Sequence, residues 1–444
     1  MWPEYKLAPV KKIATRTILL LCFLFIFNSA LLAAPVNGPD QIILSWTQEP
    51  LTTQTISWRA KTASDHSQVQ YLTAAEYSGN FHNAQHAIAR RRLLGEGYFR
   101  FTCTLTGLEP GTAYVYRLGG TSGWAEPASF TTAADTNSFS FLYLGDVQAG
   151  YESWGQMLTR IISQQPGLRF ALLGGDLVDK GNNIQEWEQF FAAAEPLFKQ
   201  IPLLPAVGNH DNTSLFRESF AVPPNGPRED QGTVYSFDYG NCHIIVLNSN
   251  VMGIPGTAGY DRLSGWLQRD LASSQKAWTI AVFHHPPYQA MQDWRGGHLQ
   301  TNWVPLLEQA GVDLVLNGHQ HVYMRTKPLW QGEISQGGPA IVYIIGNSGN
   351  KHYAPGPDHN YIARQVAGVS NYQLIEIQDD LLTLTTKGAN GAVLDQFTLT
   401  KTTTDQAPDK TSASAKTKPE PATSLPSTVG NIVIALTAVF PLPF

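Results

Sequence analysis

Five apolar segments between residues 139 and 317 end abruptly in groups of Asp, Asn or His, most of them with an adjacent glycine. Short apolar runs of this kind are typical of buried strands. In an α/β sheet, the loops that follow the carboxyl ends of the strands meet at one crevice. We therefore expect these polar side chains to surround a common point. The five groups are Gly145-Asp146-Val147-Gln148, Gly174-Gly175-Asp176-Leu177-Val178-Asp179, Gly208-Asn209-His210-Asp211, His284-His285-Pro286-Pro287 and Asn317-Gly318-His319-Gln320-His321.

The chemistry of these groups predicts a metal site. Each group alone is compatible with an ordinary polar turn, but seven of the 12 histidines lie between His210 and His321. Oxygen and imidazole ligands without thiolates are typical of borderline or hard divalent ions such as zinc, manganese or iron. The ligands are too many for one tetrahedral ion with an open position. We predict two divalent ions that share a carboxylate, an arrangement suited to phosphate ester hydrolysis.

Residues 40–133 have the pattern of an all-β domain. Runs such as QIILSW, TISWRA and AYVYRLG are β-branched or aromatic and are separated by turn residues, without a strong amphipathic helix among them. This pattern predicts a β-sandwich. The basic run Arg90-Arg91-Arg92 is interpreted as a solvated hairpin face and not as a binding patch, because Glu96 and apolar residues follow it at once.

Residues 137–401 alternate apolar strands with helix-like stretches, which predicts an α/β layered domain. Residues 402–444 form a predicted low-complexity tail, rich in Thr, Ser, Pro, Lys and Ala, with a short apolar end. That apolar end has 13 residues and two prolines, fewer than a bilayer-spanning helix requires.

Residues 1–34 have the layout of a secretory signal peptide. A basic region containing Lys6, Lys11, Lys12 and Arg16 precedes an apolar run over 18–27, and small residues lead to Pro35. We predict cleavage near Ala34, with an uncleaved membrane anchor as the alternative. Either form exports the protein, as a secreted or cell-envelope protein. No stable membrane span is expected after removal of the segment.

Net charge limits the partners of the chain. The formal net charge is −5 and becomes about −8 once four basic residues and Glu4 leave with the predicted signal peptide. Such a surface does not attract nucleic acid as a whole, so a small phosphate-ester substrate is expected. Cys103 and Cys242 do not make a disulfide framework, and the sequence does not define the oligomeric state.

The five groups, in this order, resemble the calcineurin-like metallophosphoesterase superfamily. The runs VFHH (282–285) and GHQHVYMR (318–325) fit the last two motifs of plant-type purple acid phosphatases. LTGLEPGTAYVYRLG and PASFTT resemble the fibronectin type III-like domain that precedes their catalytic domain. The resemblance covers roughly residues 40–400. It implies an N-terminal fibronectin type III-like sandwich, then a four-layer α/β sandwich with a dinuclear metal centre at the strand ends.

The resemblance also implies how the metal ions are held. A hydroxide bound between two divalent ions (Fe, Mn or Zn) would attack phosphorus in line, with Asp176 bridging the ions. One ion would be bound by Asp146, Asp176 and His321, and the other by Asp176, Asn209, His285 and His319.

Three other histidines receive roles from the same resemblance. His210, next to a ligand, would contact the phosphate or assist the leaving group. His298 is a candidate for protonating the leaving oxygen, and a solvated loop histidine is the alternative reading of that position. His284 is expected to pack or to contact substrate, and not to bind metal.

Two positions depart from the pattern. Gln148 stands where many metallophosphoesterases have a ligand histidine, and its amide oxygen would be a weaker metal ligand. Asp179 stands where the purple enzymes carry a metal-binding tyrosine, three residues after the bridging aspartate. Without that phenolate, no purple charge-transfer colour is expected.

The resulting functional hypothesis is an exported, acid phosphatase-like enzyme that hydrolyses phosphate monoesters. The alternative is a phosphodiesterase acting on nucleotides or glycerophosphodiesters, depending on how loops 288–298 and 346–353 shape the pocket. A reading from another class, a non-catalytic surface adhesion module, is disfavoured because the core ligand positions all hold coordinating side chains. Nucleic-acid cleavage is disfavoured by the net charge and the lack of a basic stripe.

Overall fold

A computed structural model describes residues 38–61, 67–95, 97–121, 123–251 and 256–401. The predicted signal peptide (1–34) and the predicted tail (402–444) lie outside these residues. Within the described ranges, no helix combines the length and apolar character needed to cross a bilayer. Cys103 and Cys242 are both buried and are not joined in a disulfide.

The N-terminal part is a sandwich of two antiparallel sheets. One sheet has the order β1-β2-β6-β5, and the other has the order β4-β3-β7-β8 with β9 paired to β7. Between the sheets lies a buried cluster that includes Trp58, Phe101, Tyr116 and Phe130. The strands are β1 (Asp40–Ser45), β2 (Thr53–Ala60), β3 (Gln68–Thr73), β4 (Gln85–Ile88), β5 (Arg90–Gly95), β6 (Tyr98–Thr106), β7 (Ala113–Gly120), β8 (Gly123–Trp124) and β9 (Ala128–Thr131).

The second part contains two mixed sheets with helices. Its strands are β10 (Ser138–Leu144), β11 (Leu168–Leu173), β12 (Leu203–Pro205), β13 (Tyr235–Tyr239), β14 (Cys242–Val246), β15 (Trp278–Val282), β16 (Leu314–Asn317), β17 (Tyr323–Thr326), β18 (Leu329–Trp330), β19 (Glu333–Ile334), β20 (Val342–Ile345), β21 (Ile362–Val366), β22 (Asn371–Gln378), β23 (Leu381–Gly388) and β24 (Val393–Thr400). Its helices are α1 (Tyr151–Gln164), α2 (Ile184–Phe198), α3 (Ser214–Ser219), α4 (Ala258–Ser273), α5 (Trp294–Asn302) and α6 (Val304–Gln309).

These elements stack in layers. One sheet runs β12-β11-β10-β22-β23-β24 and the other runs β13-β14-β15-β16-β20-β17-β21. They face each other through rings such as Phe170 of β11, whose centroid lies 5.7 Å from that of Phe237 in β13. Helices α1 and α2 join the core of the first sheet, and α4 and α6 join that of the second. The predicted architecture, an all-β sandwich followed by a layered α/β part, is confirmed.

The topology aligns the polar groups. Strands β10, β11 and β12 are parallel, and so are β14, β15, β16 and β20. Parallel strands end at the same edge of a sheet, so the residues that follow β10, β11, β12, β15 and β16 meet at one side of the layers.

The first strand of the sandwich and the residue after it contact the α/β part directly. Leu44 of β1 forms a parallel bridge with Pro202, which immediately precedes β12. Trp46 follows β1 and is buried, with its ring centroid 5.6 Å from that of Phe170 and 5.7 Å from that of Tyr239. An aromatic side chain from the N-terminal part therefore belongs to the core of the α/β part.

Candidate metal centre

The carboxylates of Asp146 and Asp176 lie just after β10 and β11 and are buried. Glycines of neighbouring loops pass directly against them. A Cβ atom on Gly208 would lie 2.0 Å from Asp176 Oδ1, and one on Gly318 would lie 2.1 Å from Asp146 Oδ1. Any side chain at Gly208 or Gly318 would displace a carboxylate. Glycine at these two positions therefore allows the loops to pack directly against Asp176 and Asp146.

Asp176 stands at the meeting point of three loops. Its φ of 53° is left-handed, a conformation that Asp and Asn adopt more readily than most residues. Oδ1 accepts a hydrogen bond from the backbone N–H of His210 at 2.9 Å, and Oδ2 lies 3.0 Å from Nε2 of His284. Burial alone would raise the pKa of Asp176, but His284 and His210 together lower it below its ordinary value. Asp176 is therefore held as a carboxylate.

His284 is fully buried and oriented like a metal ligand. Its Nδ1 lies 2.9 Å from the carbonyl oxygen of Gly174, so Nδ1 carries a proton and Nε2 faces Asp176. Burial opposes a charge on the ring, yet Asp176 and Asp146 raise the pKa of His284 to about 10. A ring fixed through one N–H by a carbonyl oxygen is the usual arrangement of a metal-binding histidine, and an ion bound at Nε2 would have to displace the proton that the carboxylates hold there.

His285 is the second buried histidine of this loop. Its Nδ1 lies 2.8 Å from the hydroxyl oxygen of Ser249, and its ring centroid lies 4.5 Å from that of His319. Burial first, and then the neighbouring His284 and His319, lower the pKa of His285 far below its ordinary value. The ring is therefore neutral, which is the form of imidazole that binds metal.

Two overlapping groups of side chains fit divalent ions. Asp146, Asp176 and His284 form one group and His284, His285 and His319 form the other, with ligand atoms within 4.8 Å of one another. Buried His285 Nε2 lacks a hydrogen-bond partner among the described residues, and buried Asp146 Oδ2 and His284 Nε2 have only titratable side chains beside them, His321 at 3.2 Å and Asp176 at 3.0 Å. Buried polar atoms normally have partners, so these atoms are suited to a cation. His284 belongs to both groups, whereas the sequence placed only His285 among the ligands.

His319 and His321 follow β16 and approach Asp146 from the other sheet. The backbone N–H of His319 donates to Asp146 Oδ1 at 2.7 Å, and His319 Nε2 lies 2.7 Å from Asp293 Oδ2. His321 Nε2 lies 3.2 Å from Asp146 Oδ2, and the His321 ring packs against Tyr353 at 4.3 Å. Both histidines therefore lie beside Asp146, and Asp293 fixes the ring of one of them.

The amide oxygen of Gln148 does not face the carboxylates of the site. Its Nε2 donates to Asp176 Oδ2 at 2.9 Å, and its Oε1 accepts from Lys351 Nζ at 2.9 Å. An ammonium only donates and a carboxylate only accepts, which fixes this amide orientation. The oxygen expected to coordinate an ion therefore faces Lys351. The same Nζ lies 3.5 Å from Asp179 Oδ1, so Lys351 contacts both departures from the purple acid phosphatase pattern.

His210 lies in a cleft at these strand ends. Its Nδ1 lies 2.6 Å from the carbonyl oxygen of Asp179, so Nδ1 donates and Nε2 is the nitrogen left for a ligand. The ring is half-buried. The cleft has a volume of ≈ 430 Å³ and is lined by Asp176, His210, Met291, Gln292, Asp293, Arg295, His319, Gln320, His321 and Tyr353.

Asn209 and His298 are the two predicted site residues that are exposed. Asn209 is exposed on the loop between β12 and α3. His298 is exposed on α5 and is not among the described residues that line the cleft. The reason is helical geometry: α5 begins after Asp293, whose side chain accepts from the backbone N–H of Arg295, and it turns Leu299 into the core. The position of His298 therefore does not favour the acid role expected for it.

Sequence reasoning assigned no role to Asp211. This buried carboxylate accepts hydrogen bonds from the backbone N–H groups of Gly208 at 2.7 Å and Leu177 at 2.6 Å, and so ties together the loops after β11 and β12. Burial first, and then Asp176, raise its pKa. Its position directly after Asn209-His210 was the available signal. Asp293 and Lys351 fall in loops 288–298 and 346–353, which the sequence marked only as determinants of pocket shape.

Comparison with known proteins agrees with this geometry. Residues 39–132 match the family model of the purple acid phosphatase N-terminal domain, and residues 139–323 match that of calcineurin-like phosphoesterases. Purple acid phosphatase 18 of Arabidopsis thaliana is 28% identical over 295 residues, which are 60% of this chain and 63% of that protein. The chain thus spans less than two thirds of that relative.

Two further proteins resemble more of the chain. Acid phosphatase type 7 of Mus musculus is 28% identical over 354 residues, 72% of this chain and 78% of that protein. The solved structure of a purple acid phosphatase from yellow lupin seeds superposes with a TM-score of 0.70 and 19% identity, over 83% of this chain and 75% of that one. Residues 39–132 and 139–323 are therefore similar, in this order, to the N-terminal domain of purple acid phosphatases and to the calcineurin-like phosphoesterases, and the chain shares the fold of a purple acid phosphatase.

Proposed function

We propose that this protein is an exported phosphatase that hydrolyses phosphate monoesters with the help of two divalent ions. The observation that carries this proposal is the cleft at the strand ends, where Asp176, His319 and His321 of the metal centre meet His210 and Arg295. Arg295 and the bound ions would supply the positive charge that suits a phosphate with two negative charges. The layout of residues 1–34 supports export, and the names of the relatives support phosphatase activity.

Different residues of the chain would bind the ions, contact the phosphate and hold the ligand rings in place. Asp146, Asp176, His284, His285, His319 and His321 would hold the ions, which supply charge neutralisation and Lewis-acid activation at phosphorus when bound. The Nε2 atom of His210 would contact the phosphate or the leaving oxygen, because Nδ1 is engaged by Asp179. Asp293 keeps the ring of His319 in place. Iron, manganese and zinc all suit this mixture of carboxylate and imidazole ligands.

A comparison of ester substrates tests the proposal. The full chain, stripped with chelator and reloaded with manganese, zinc or iron, is assayed on 4-nitrophenyl phosphate and on bis(4-nitrophenyl) phosphate. We expect kcat/KM to be at least about tenfold higher for the monoester, the equivalent of one charge-assisted contact that the diester lacks. A faster diester reaction would instead assign the protein to the phosphodiesterases. Absence of both reactions with every metal would contradict an enzymatic role.

Replacement of His210 by alanine is expected to slow turnover while leaving the ions bound. The His210 ring touches Asp179 and lines the cleft but belongs to neither metal-binding group. We expect kcat to fall by about 10²-fold, the usual size of a lost acid–base contact. The metal content, measured by atomic emission, should equal that of the wild type. His298→Ala is the matched control, since His298 is exposed outside the cleft, and it should retain nearly full activity. Wild-type kcat in His210→Ala would remove His210 from the reaction.

A further inference from the structure

A second cleft, with a volume of ≈ 210 Å³, lies where the sandwich meets α3. Its lining includes five arginines and one glutamate, and its apolar side chains, large or small, are Phe220 and Ala221. The charged residues are Arg90, Arg91, Arg92, Arg100, Arg217 and Glu218. The cleft contains none of the metal-centre residues.

Strand register explains the concentration of charge. In the sheet of β2, β6 and β5, Arg100 lies opposite Arg59 on one side and opposite Arg92 on the other. Directly opposed residues project from the same face of a sheet, and like charges in such positions repel each other. Three neighbouring strands therefore present a row of guanidinium groups toward the α/β part, an arrangement that needs negative charge to be stable.

The two outer arginines of this row have carboxylate partners. Arg59 pairs with Asp40 at 2.7 Å and with Glu188 at 3.0 Å, and Arg92 pairs with Glu218 at 2.5 Å. These pairs neutralise the ends of the row. The central guanidinium, that of Arg100, is in a different situation.

Arg100 is 5% exposed and has no carboxylate partner among the described residues. Its Nη2 donates to the amide oxygen of Gln41 at 2.8 Å, and its guanidinium lies 5.2 Å from the centroid of the Phe191 ring. Its Nε has no hydrogen-bond partner within the described structure. Burial, and then Arg59, lower the pKa of Arg100 to about 10, so the group still carries its charge at neutral pH. A buried charge without a counter-ion is costly.

We propose that this cleft is a binding site for a small phosphate-type oxyanion, with the bound anion supplying the counter-charge of Arg100. Arginine binds phosphate oxygens with paired, parallel hydrogen bonds, and the arginines lie on two sides of the cleft, on β5 and β6 and on α3. The volume of ≈ 210 Å³ accommodates orthophosphate with ordered water.

The site is separate from the metal centre and does not depend on the proposed activity. The two are nevertheless neighbours along the chain, because α3 follows directly on the loop that carries Asn209 and His210. Arg90, Arg91 and Arg92 are exposed on the hairpin of β5 and β6, in agreement with the sequence interpretation, and they also line a cleft that contains a buried arginine.

Calorimetric titration of orthophosphate into the full metal-loaded chain, at constant ionic strength, tests the proposal. We expect two classes of site in the wild type. Removal of the ions with chelator should abolish one class and leave the other. The double variant Arg90→Gln/Arg217→Gln changes exposed side chains on opposite sides of the cleft and should weaken the second class by roughly tenfold to hundredfold, as expected for lost charge-assisted hydrogen bonds.

The control is Arg269→Gln/Arg364→Gln, which makes the same change of charge at exposed positions outside the cleft. It should retain both classes with their wild-type affinities. Equal weakening in the two double variants would show a general effect of net charge and would overturn the proposal. A metal-free chain that binds no orthophosphate would overturn it as well. Neither result bears on hydrolysis, which the ester assay measures separately.

Discussion

Asp176→Asn is expected to eliminate bound metal and to lower kcat/KM by at least about 10³-fold, because in the proposed centre this carboxylate would be shared by the two ions and would supply negative charge to both. Asparagine is the informative replacement. It preserves the size of the side chain and tolerates the left-handed backbone at φ 53°, so the loop retains its shape while the charge is lost. Metal content by atomic emission and kinetics on 4-nitrophenyl phosphate provide the two measurements.

Asp135→Asn serves as the control for this variant, since Asp135 is exposed and precedes β10. It should behave as the wild type in both assays. If Asp176→Asn held two ions per chain and turned over normally, Asp176 would not bridge the ions, and the assignment of the centre to the ends of β10 and β11 would have to be abandoned.

His284→Asn is expected to cost the protein at least one of its two ions and about 10²-fold or more in kcat/KM. The physical reason is that Nε2 of His284 points at Asp176 while Nδ1 is held by Gly174, and that this ring belongs to both groups of metal-binding side chains. A neutral amide is a poorer donor to a divalent ion and does not reach the same point. Metal content and activity are measured as for Asp176→Asn, with circular dichroism to confirm the fold.

His285→Asn is the matched comparison, because His285 lies only in the group with His284 and His319. It should keep the ion beside Asp146 and Asp176 and lose affinity for the other. The opposite ranking, with His285→Asn losing both ions and His284→Asn losing none, would favour the ligand set implied by the sequence resemblance, in which His284 only packs or contacts substrate.

The location of the site was predictable because it depends on topology that the sequence displays. Apolar runs with polar ends predict parallel strands that finish at one edge, and β10, β11, β12, β15 and β16 do so. The carboxylates Asp146 and Asp176 come together for this reason. Their positions follow from local strand ends and a general rule of α/β sheets, so no long-range contact had to be known.

The orientation of individual side chains was not predictable in this way. His284 and His285 are adjacent, and their roles depend on Gly174 and Ser249, which lie 110 and 36 residues away along the chain. The amide of Gln148 is set by Lys351, 203 residues later. Such contacts are specified by packing between loops and not by the local pattern. The ligand assignments therefore remain predictions for the variants above to test.

The residues that surround Arg90-Arg91-Arg92 were also not predictable from the local sequence. In the sequence, Arg90-Arg91-Arg92 is a short basic stretch with apolar neighbours, the pattern of a solvated strand. The pairing register of β5 and β6 brings Arg92 opposite the buried Arg100, and the fold places α3 across from them. A strand shifted by one residue would turn Arg90 and Arg92 to the other face, so the neighbours of these side chains can be named only once the strand pairing is known.

The burial of Trp46 beside Phe170 and Tyr239 limits how the two parts of this protein can be separated or recombined. Loss of a buried tryptophan typically costs about 3–5 kcal/mol, and a hydrolase half expressed alone would carry that vacancy in its own interior. Gene fusions or exchanges with a breakpoint between the halves would recombine mismatched surfaces. Each half therefore depends on the other for a complete core, and attachments that preserve folding should leave the junction between the halves unchanged.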